Sequence, residues 1–167
     1  HGTVAWTDGV FYIQSTNAVV NAIDGAWEVQ GDRTLTSSSC GAPTFTNVGL
    51  LRKTAGTGAM WVSSCVALTN TGTLDLQSGA LAVQAPATLT SSGHVTAGAG
   101  TTFYLAGVTL ESGSTFSGTG TLRMNGTTTV TGDLTVPVPL LLEGTVTGAG
   151  KLTLAAAALS ARTTALF

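Results

Sequence analysis

Asp24, Glu28, Asp32 and Arg33 form the one stretch in which acidic and basic side chains crowd together, while Asp8, Asp75, Glu111, Asp133 and Glu143 stand apart. Converging carboxylates beside an Arg or Lys are what polysaccharide cleavage requires, because an acid and a base must reach the same bond. Asp24 and Asp32, however, flank predicted turns, where an exposed Asp is ordinary. The serines lack a His partner suited to nucleophilic attack. No catalytic residue is assigned, and the chain is expected not to be an enzyme.

The two imidazoles, His1 and His94, are far apart in sequence. A leading His1-Gly2 resembles the mature start of copper-dependent polysaccharide monooxygenases, which implies copper held by the terminal amine and two imidazoles. The β-sandwich of that family does not fit the repeats described below, and a leading His is equally what cleavage or a tag leaves. No metal site is expected. Nor is any cofactor, because the sequence holds no Cys-x-x-Cys, His-Glu-x-x-His, phosphate-cradling loop or calcium-binding Gly-rich nonapeptide.

Two other residue types bear on binding. An exposed row of Trp and Tyr would offer flat rings to the apolar faces of pyranoses. Trp27, Phe45 and Trp61 have apolar neighbours and are expected to fill the interior instead. Thr-rich pieces such as "TTTVTG" and "TLTSSGHVT" raise ice binding, in which a flat array of Thr on parallel strands orders water. Such an array needs Thr-x-Thr at one position of every coil, and the irregular spacing in this sequence ranks that reading last.

The chain that must position these residues has an unusual composition. Charged residues make up 8%, against roughly 25% in an average soluble domain, whereas hydrophobic residues make up 43%. Water must therefore be met by Thr, Ser, Asn and Gln. No apolar run approaches the ~20 residues of a membrane-spanning helix, and the aliphatic content is too high for disorder. Apart from Arg52-Lys53 the six basic residues are scattered singly, and the net charge is −2, so there is no positive stripe for nucleic acid. "HGTVAWTDG" lacks the features of a signal peptide, and "LTLAAAALSARTTALF" is still strand-like. Residues 1–167 are read as a single domain, or as a segment excised from a longer chain.

A glycine followed by alternating apolar positions recurs at Gly72-Thr73-Leu74-Asp75-Leu76, Gly79-Ala80-Leu81-Ala82-Val83, Gly120-Thr121-Leu122-Arg123-Met124, Gly132-Asp133-Leu134-Thr135-Val136 and Gly150-Lys151-Leu152-Thr153-Leu154. Alternation of this kind is the period of a short strand with one buried face. A larger unit contains it. Asn21, Asn47 and Asn70, separated by 26 and 23 residues, each precede a glycine and then an apolar residue. A unit of that length holding three short strands predicts one coil of an all-β parallel β-helix, or β-solenoid. Its glycines would supply the positive φ of sharp corners, and a repeated Asn would hydrogen-bond along the stack as a structural ladder. The rival is an antiparallel β-sandwich, favoured by Asn125-Gly126, a hairpin signal between apolar runs.

Cys40 lies seven residues before Asn47, and Cys65 lies five before Asn70. A solenoid therefore puts both at nearly the same place on successive coils, about 5 Å apart, which a disulfide accepts. An oxidised pair implies an extracellular or periplasmic setting.

"FTNVGLLRKTAGTGAMWV" followed by "LTNTGTLDLQSGALAVQ" resembles the degenerate F-x-N-x-G-x-L-x-K, G-T-G, N-x-G-T and Q-S-G-x-L repeats of large bacterial surface and secreted proteins, such as adhesins and autotransporter passengers. The match covers about residues 20 to 154 and is strongest from 45 to 84; "VPVPLLL" at 136 to 142 departs from it. The resemblance implies a parallel β-helix at the cell surface or outside the cell, serving as a stalk, fibre or adhesive segment. The alternative is a polysaccharide-binding or polysaccharide-cleaving β-helix. Neither "HGTVAWTDGVFYIQ" nor "KLTLAAAALSARTTALF" has the polar end unit that caps natural solenoids, so the segment is expected to associate end to end or to continue into a longer chain.

Overall fold

The computed structural model describes residues 2–155 and the backbone of the strand Leu159–Ala161. His1, Arg162, Leu166 and Phe167, which entered the expectations about copper and end-to-end contact, lie outside the described residues. Those described form strands and turns with no helix, stacked as about seven turns of a parallel β-solenoid. Each full coil contributes one strand to each of three sheets. The first sheet runs from Gly2–Trp6 through Gly25–Gln30, Leu50–Ala55, Thr73–Leu76 and His94–Ala97 to Thr115–Gly118. The second has eight strands, from Val10–Tyr12 to Leu159–Ala161, and the third has seven, from Ala18–Asn21 to Thr145–Thr147.

Period-two alternation decides which side chains enter the core. Trp27, Leu51, Leu74, Val95 and Phe116 stand one above another in the first sheet, all inward and buried. Phe45, Leu68, Leu89 and Val108 do the same in the third. Each such burial contributes about 2 kcal/mol. Near the first coil the core is aromatic: Trp6, Phe11, Trp27 and Phe45 meet edge to face in succession, at centroid distances of 5.9, 5.1 and 5.1 Å.

The glycines at the corner from the third sheet to the first correct the expectation about positive φ. Gly25, Gly49, Gly72 and Gly93 are not among the positive-φ residues. They are glycine because the coils approach too closely there for a side chain. A Cβ on Gly72 would fall on the carbonyl oxygens of Gly49 and Val48, and one on Gly93 on that of Gly72, each well inside 3.0 Å. At the next corner Gly79 does have a positive φ, of 61°.

Asn125-Gly126 is not a hairpin. The strands on either side, Thr121–Met124 and Thr127–Val130, belong to the second and third sheets, so the pair turns a corner of the coil. The "VPVPLLL" departure coincides with a break. Leu134–Val136 pairs with Leu152–Leu154 in a separate two-stranded sheet, while Leu140–Leu142 continues the second sheet after Pro137 and Pro139, which have no N–H to donate.

Candidate binding faces

Asn21, Asn47 and Asn70 occupy one register position at the end of successive third-sheet strands. Nδ2 of Asn21 donates to Oδ1 of Asn47 at 2.7 Å, and Nδ2 of Asn47 donates to Oδ1 of Asn70 at 2.8 Å. The second amide hydrogens reach the carbonyls of Leu50 and Thr73, both at 2.9 Å. Asn70 passes the chain on to Ser91 Oγ at 3.2 Å, and Leu110 then takes the position, so the ladder ends. One corner along, Cys40 and Cys65 form a disulfide between adjacent coils with a Cα–Cα distance of 5.3 Å.

The acidic stretch disperses. Asp24 and Asp32 sit at opposite ends of Gly25–Gln30, a separation on the order of 20 Å, whereas the carboxyl pair of a glycosidase stands roughly 5 to 10 Å apart. Glu28, on the outward side of that strand, is paired with Arg52 of the next coil, and Asp75 follows in the same column. Arg33 donates to the Thr7 carbonyl and lies 3.7 Å from Asp8. His94 stands outward on the first sheet between the hydroxyls of Thr115 (2.7 Å) and Ser117 (2.9 Å). Among the described residues no three of His, Cys, Asp and Glu are grouped to hold a metal ion.

Asp32 instead meets Lys53, to which the sequence analysis assigned no role. Lys53 occupies an inward position between Val29 and Leu76 and is only 2% exposed. Its Nζ donates to the carbonyls of Ala55 (2.6 Å), Gly56 (3.0 Å) and Ser78 (3.2 Å), and lies 3.1 Å from Asp32 Oδ1. The ammonium thus gathers corner carbonyls of two coils. Asp32 also accepts the Gly58 N–H at 3.0 Å, and the Lys53 hydrogen bond holds its carboxyl below the usual value. The repeat's own Lys position was the available signal.

Trp61 corrects the interior assignment. In Ala59–Val62 the inward residues are Met60 and Val62, so Trp61 points out and is 43% exposed, unlike buried Trp27 and Phe45. Trp61, Ala82 and Tyr104 are in register on three successive coils of the second sheet. Ala82, between them, is only 2% exposed, so the two rings cover it and the groove beside them opens as two hollows, one lined by Thr57, Ala59 and Ala80 and the other by Gln84, Ala106 and Asn125. The groove's two halves measure about 370 and 230 Å³. Arg123 lies 5.4 Å from the Tyr104 ring centroid and donates to Glu143 at 2.5 Å, so its charge is already balanced.

On the third sheet, threonines that are unevenly spaced in sequence fall into register. Thr46, Thr69, Thr90, Thr109, Thr129 and Thr147 stand in one unbroken outward column across six coils. Their uneven spacing in sequence comes from corners of different length, which the ladder hydrogen bonds leave out of register accounting.

No family model, curated protein or solved structure matches the chain. Among the described residues no helix is long and apolar enough to cross a membrane.

Proposed function

We propose that this chain is an extracellular, non-catalytic solenoid segment with a structural or adhesive role, akin to the stalk and passenger repeats of bacterial surface proteins. The observation that carries the reading is the in-register parallel ladder itself, with Cys40–Cys65 tying two of its coils together. Such a rod supplies length and stiffness without moving parts, and a stable disulfide suits an oxidising compartment. The first coil supports continuation of the stack, by a second copy or by more chain. Its inward Val4 is 44% exposed, and its strands pair on one side among the described residues. Force spectroscopy on the chain held between its ends tests the role. Stepwise extension at sustained load, with the segment enclosed by Cys40 and Cys65 released only after reduction, is the expected record. Extension at forces that merely straighten an unfolded chain would overturn it.

Polysaccharide binding is the second reading, favoured by the Trp61–Tyr104 groove. Trp61 is 43% exposed and, with Tyr104, presents outward ring surface on which a sugar ring stacks while its hydroxyls meet Gln84 and Asn125 in the adjoining hollow. Retention on insoluble cellulose, chitin or xylan that is lost in Trp61→Ala is the expected result. Equal retention of both proteins removes the groove from consideration.

A further inference from the structure

The third face differs from the other two in what it leaves out. On the first face the outward column carries Glu28, Arg52 and Asp75, and on the second it carries Trp61, Tyr104 and Arg123. From Thr44–Asn47 to Thr145–Thr147 the outward positions of the third sheet hold no charged and no aromatic side chain. Alongside the six-threonine column runs a second, two residues earlier, made of Thr44, Ala67, Thr88, Gly107, Thr127 and Thr145. Four of six coils therefore display a complete Thr-x-Thr.

The spacing of this array is set by the backbone. Neighbouring coils stand about 4.8 Å apart and alternate residues along a strand about 6.7 Å apart. Those two lengths lie close to the repeat distances between water oxygens on a prism plane of hexagonal ice. Thr is suited to such a grid on two counts. Its hydroxyl both donates and accepts, and its β-branched χ1 is stiff, so methyl and hydroxyl hold their places with little rotamer entropy left to lose. Beneath the array, Phe45, Leu68 and Leu89 are packed and Asn47 and Asn70 are hydrogen-bonded, which keeps the strands from shifting. Side-chain ladders of this kind also keep a sheet flat.

Neutrality is the charge complement of a lattice made of water, because an ionised side chain would orient water around itself against the crystal's order. A protein partner fits less well. The array spans on the order of 24 Å by 10 Å, far below the ~800 Å² that each partner commonly buries, and it lacks the aromatic and Arg anchors of such interfaces. A polysaccharide would find no ring on this face to stack on. We infer that the Thr46–Thr147 face binds ice, with its two columns ordering a water layer that merges with the prism plane of a growing crystal. This site is separate from the groove and does not depend on the stalk reading.

The test uses the oxidised chain in a nanolitre osmometer, with crystal shape and thermal hysteresis recorded. Wild type should facet ice crystals and separate melting from growth. Thr90→Tyr and Thr109→Tyr, each placing a bulky ring in mid-array, should reduce the hysteresis at equal concentration by about tenfold. Thr96→Tyr, on the first face, should leave it unchanged. Far-UV circular dichroism and the Cys40–Cys65 mass establish that each variant is folded. Round, unfaceted crystals with folded wild type would overturn the inference without any variant. So would a folded Thr109→Tyr that keeps full hysteresis. Either failure leaves the load-bearing and polysaccharide experiments, which read other parts of the molecule, untouched.

Discussion

Asn47 donates from Nδ2 to Oδ1 of Asn70 at 2.8 Å, and neither side chain reaches solvent. The relationship joins two coils through side chains at a corner where the backbones are too close for a side chain on Gly49 or Gly72. The same amide also donates to the Thr73 carbonyl and accepts from Asn21, so each polar atom of Asn47 has a protein partner.

Removing Asn47 should therefore harm more than removing an exposed Asn. Asn47→Ala strands the Asn21 donor, the Asn70 acceptor and the Thr73 carbonyl in a buried place, at about 1 to 3 kcal/mol for each group left wholly unsatisfied. We expect a net loss of about 3 kcal/mol, read from the urea midpoint. Asn70→Ser should cost less, because Ser91 already fills the equivalent place one coil on.

Gly72 and Gly107 separate two uses of glycine. Gly107 has a φ of +75° with open space around it, so Gly107→Ala should cost about 1 kcal/mol in backbone strain. Gly72 has an ordinary φ, yet a Cβ there collides with carbonyl oxygens of the preceding coil. Gly72→Ala should cost about 3 kcal/mol by forcing two coils apart. Thermal melts of the pair check the order, and a milder Gly72→Ala would contradict the close-stacking account.

The Cys40–Cys65 bridge closes a loop of 25 residues, worth about 3 to 4 kcal/mol on the chain-entropy description. Mass spectrometry without reductant should show both sulfurs joined. Reduction should lower the melting temperature while leaving far-UV circular dichroism strand-like, since the ladder on either side is independent of the bridge.

Acid should weaken the corner held by Asp32 and Lys53. Asp32 has a folded-state pKa below its ordinary value of 3.8, chiefly through the Lys53 hydrogen bond. Its contribution is thus fully present above that value and is lost as pH falls through the depressed one, where protonation ends the ion pair. Urea midpoints for wild type and Asp32→Asn should differ at pH 7 and converge near pH 2. Parallel curves across that range would place the acid sensitivity elsewhere.

The strand period, the coil and the cysteine pair were legible because each is a local or near-local property. Gly72-Thr73-Leu74-Asp75-Leu76 alternates whatever surrounds it, and Cys40 and Cys65 share a repeat position. Low charge likewise follows from composition alone. What alternation cannot say is which of its two faces turns inward when a run is apolar throughout. Trp61 lies between Met60 and Val62, and only closure of the coil sent those two in and the ring out. Nothing local marks Lys53 as buried; only the corner puts carbonyls from two coils around its Nζ. The threonines show the clearest division. Their spacing in sequence is uneven because corner lengths vary, but interstrand hydrogen bonding ignores corner length and sets Thr46, Thr69, Thr90, Thr109, Thr129 and Thr147 in one column. Sequence determined that there would be coils; the register between them, fixed by backbone hydrogen bonds across residues roughly twenty positions apart, decided what each face displays.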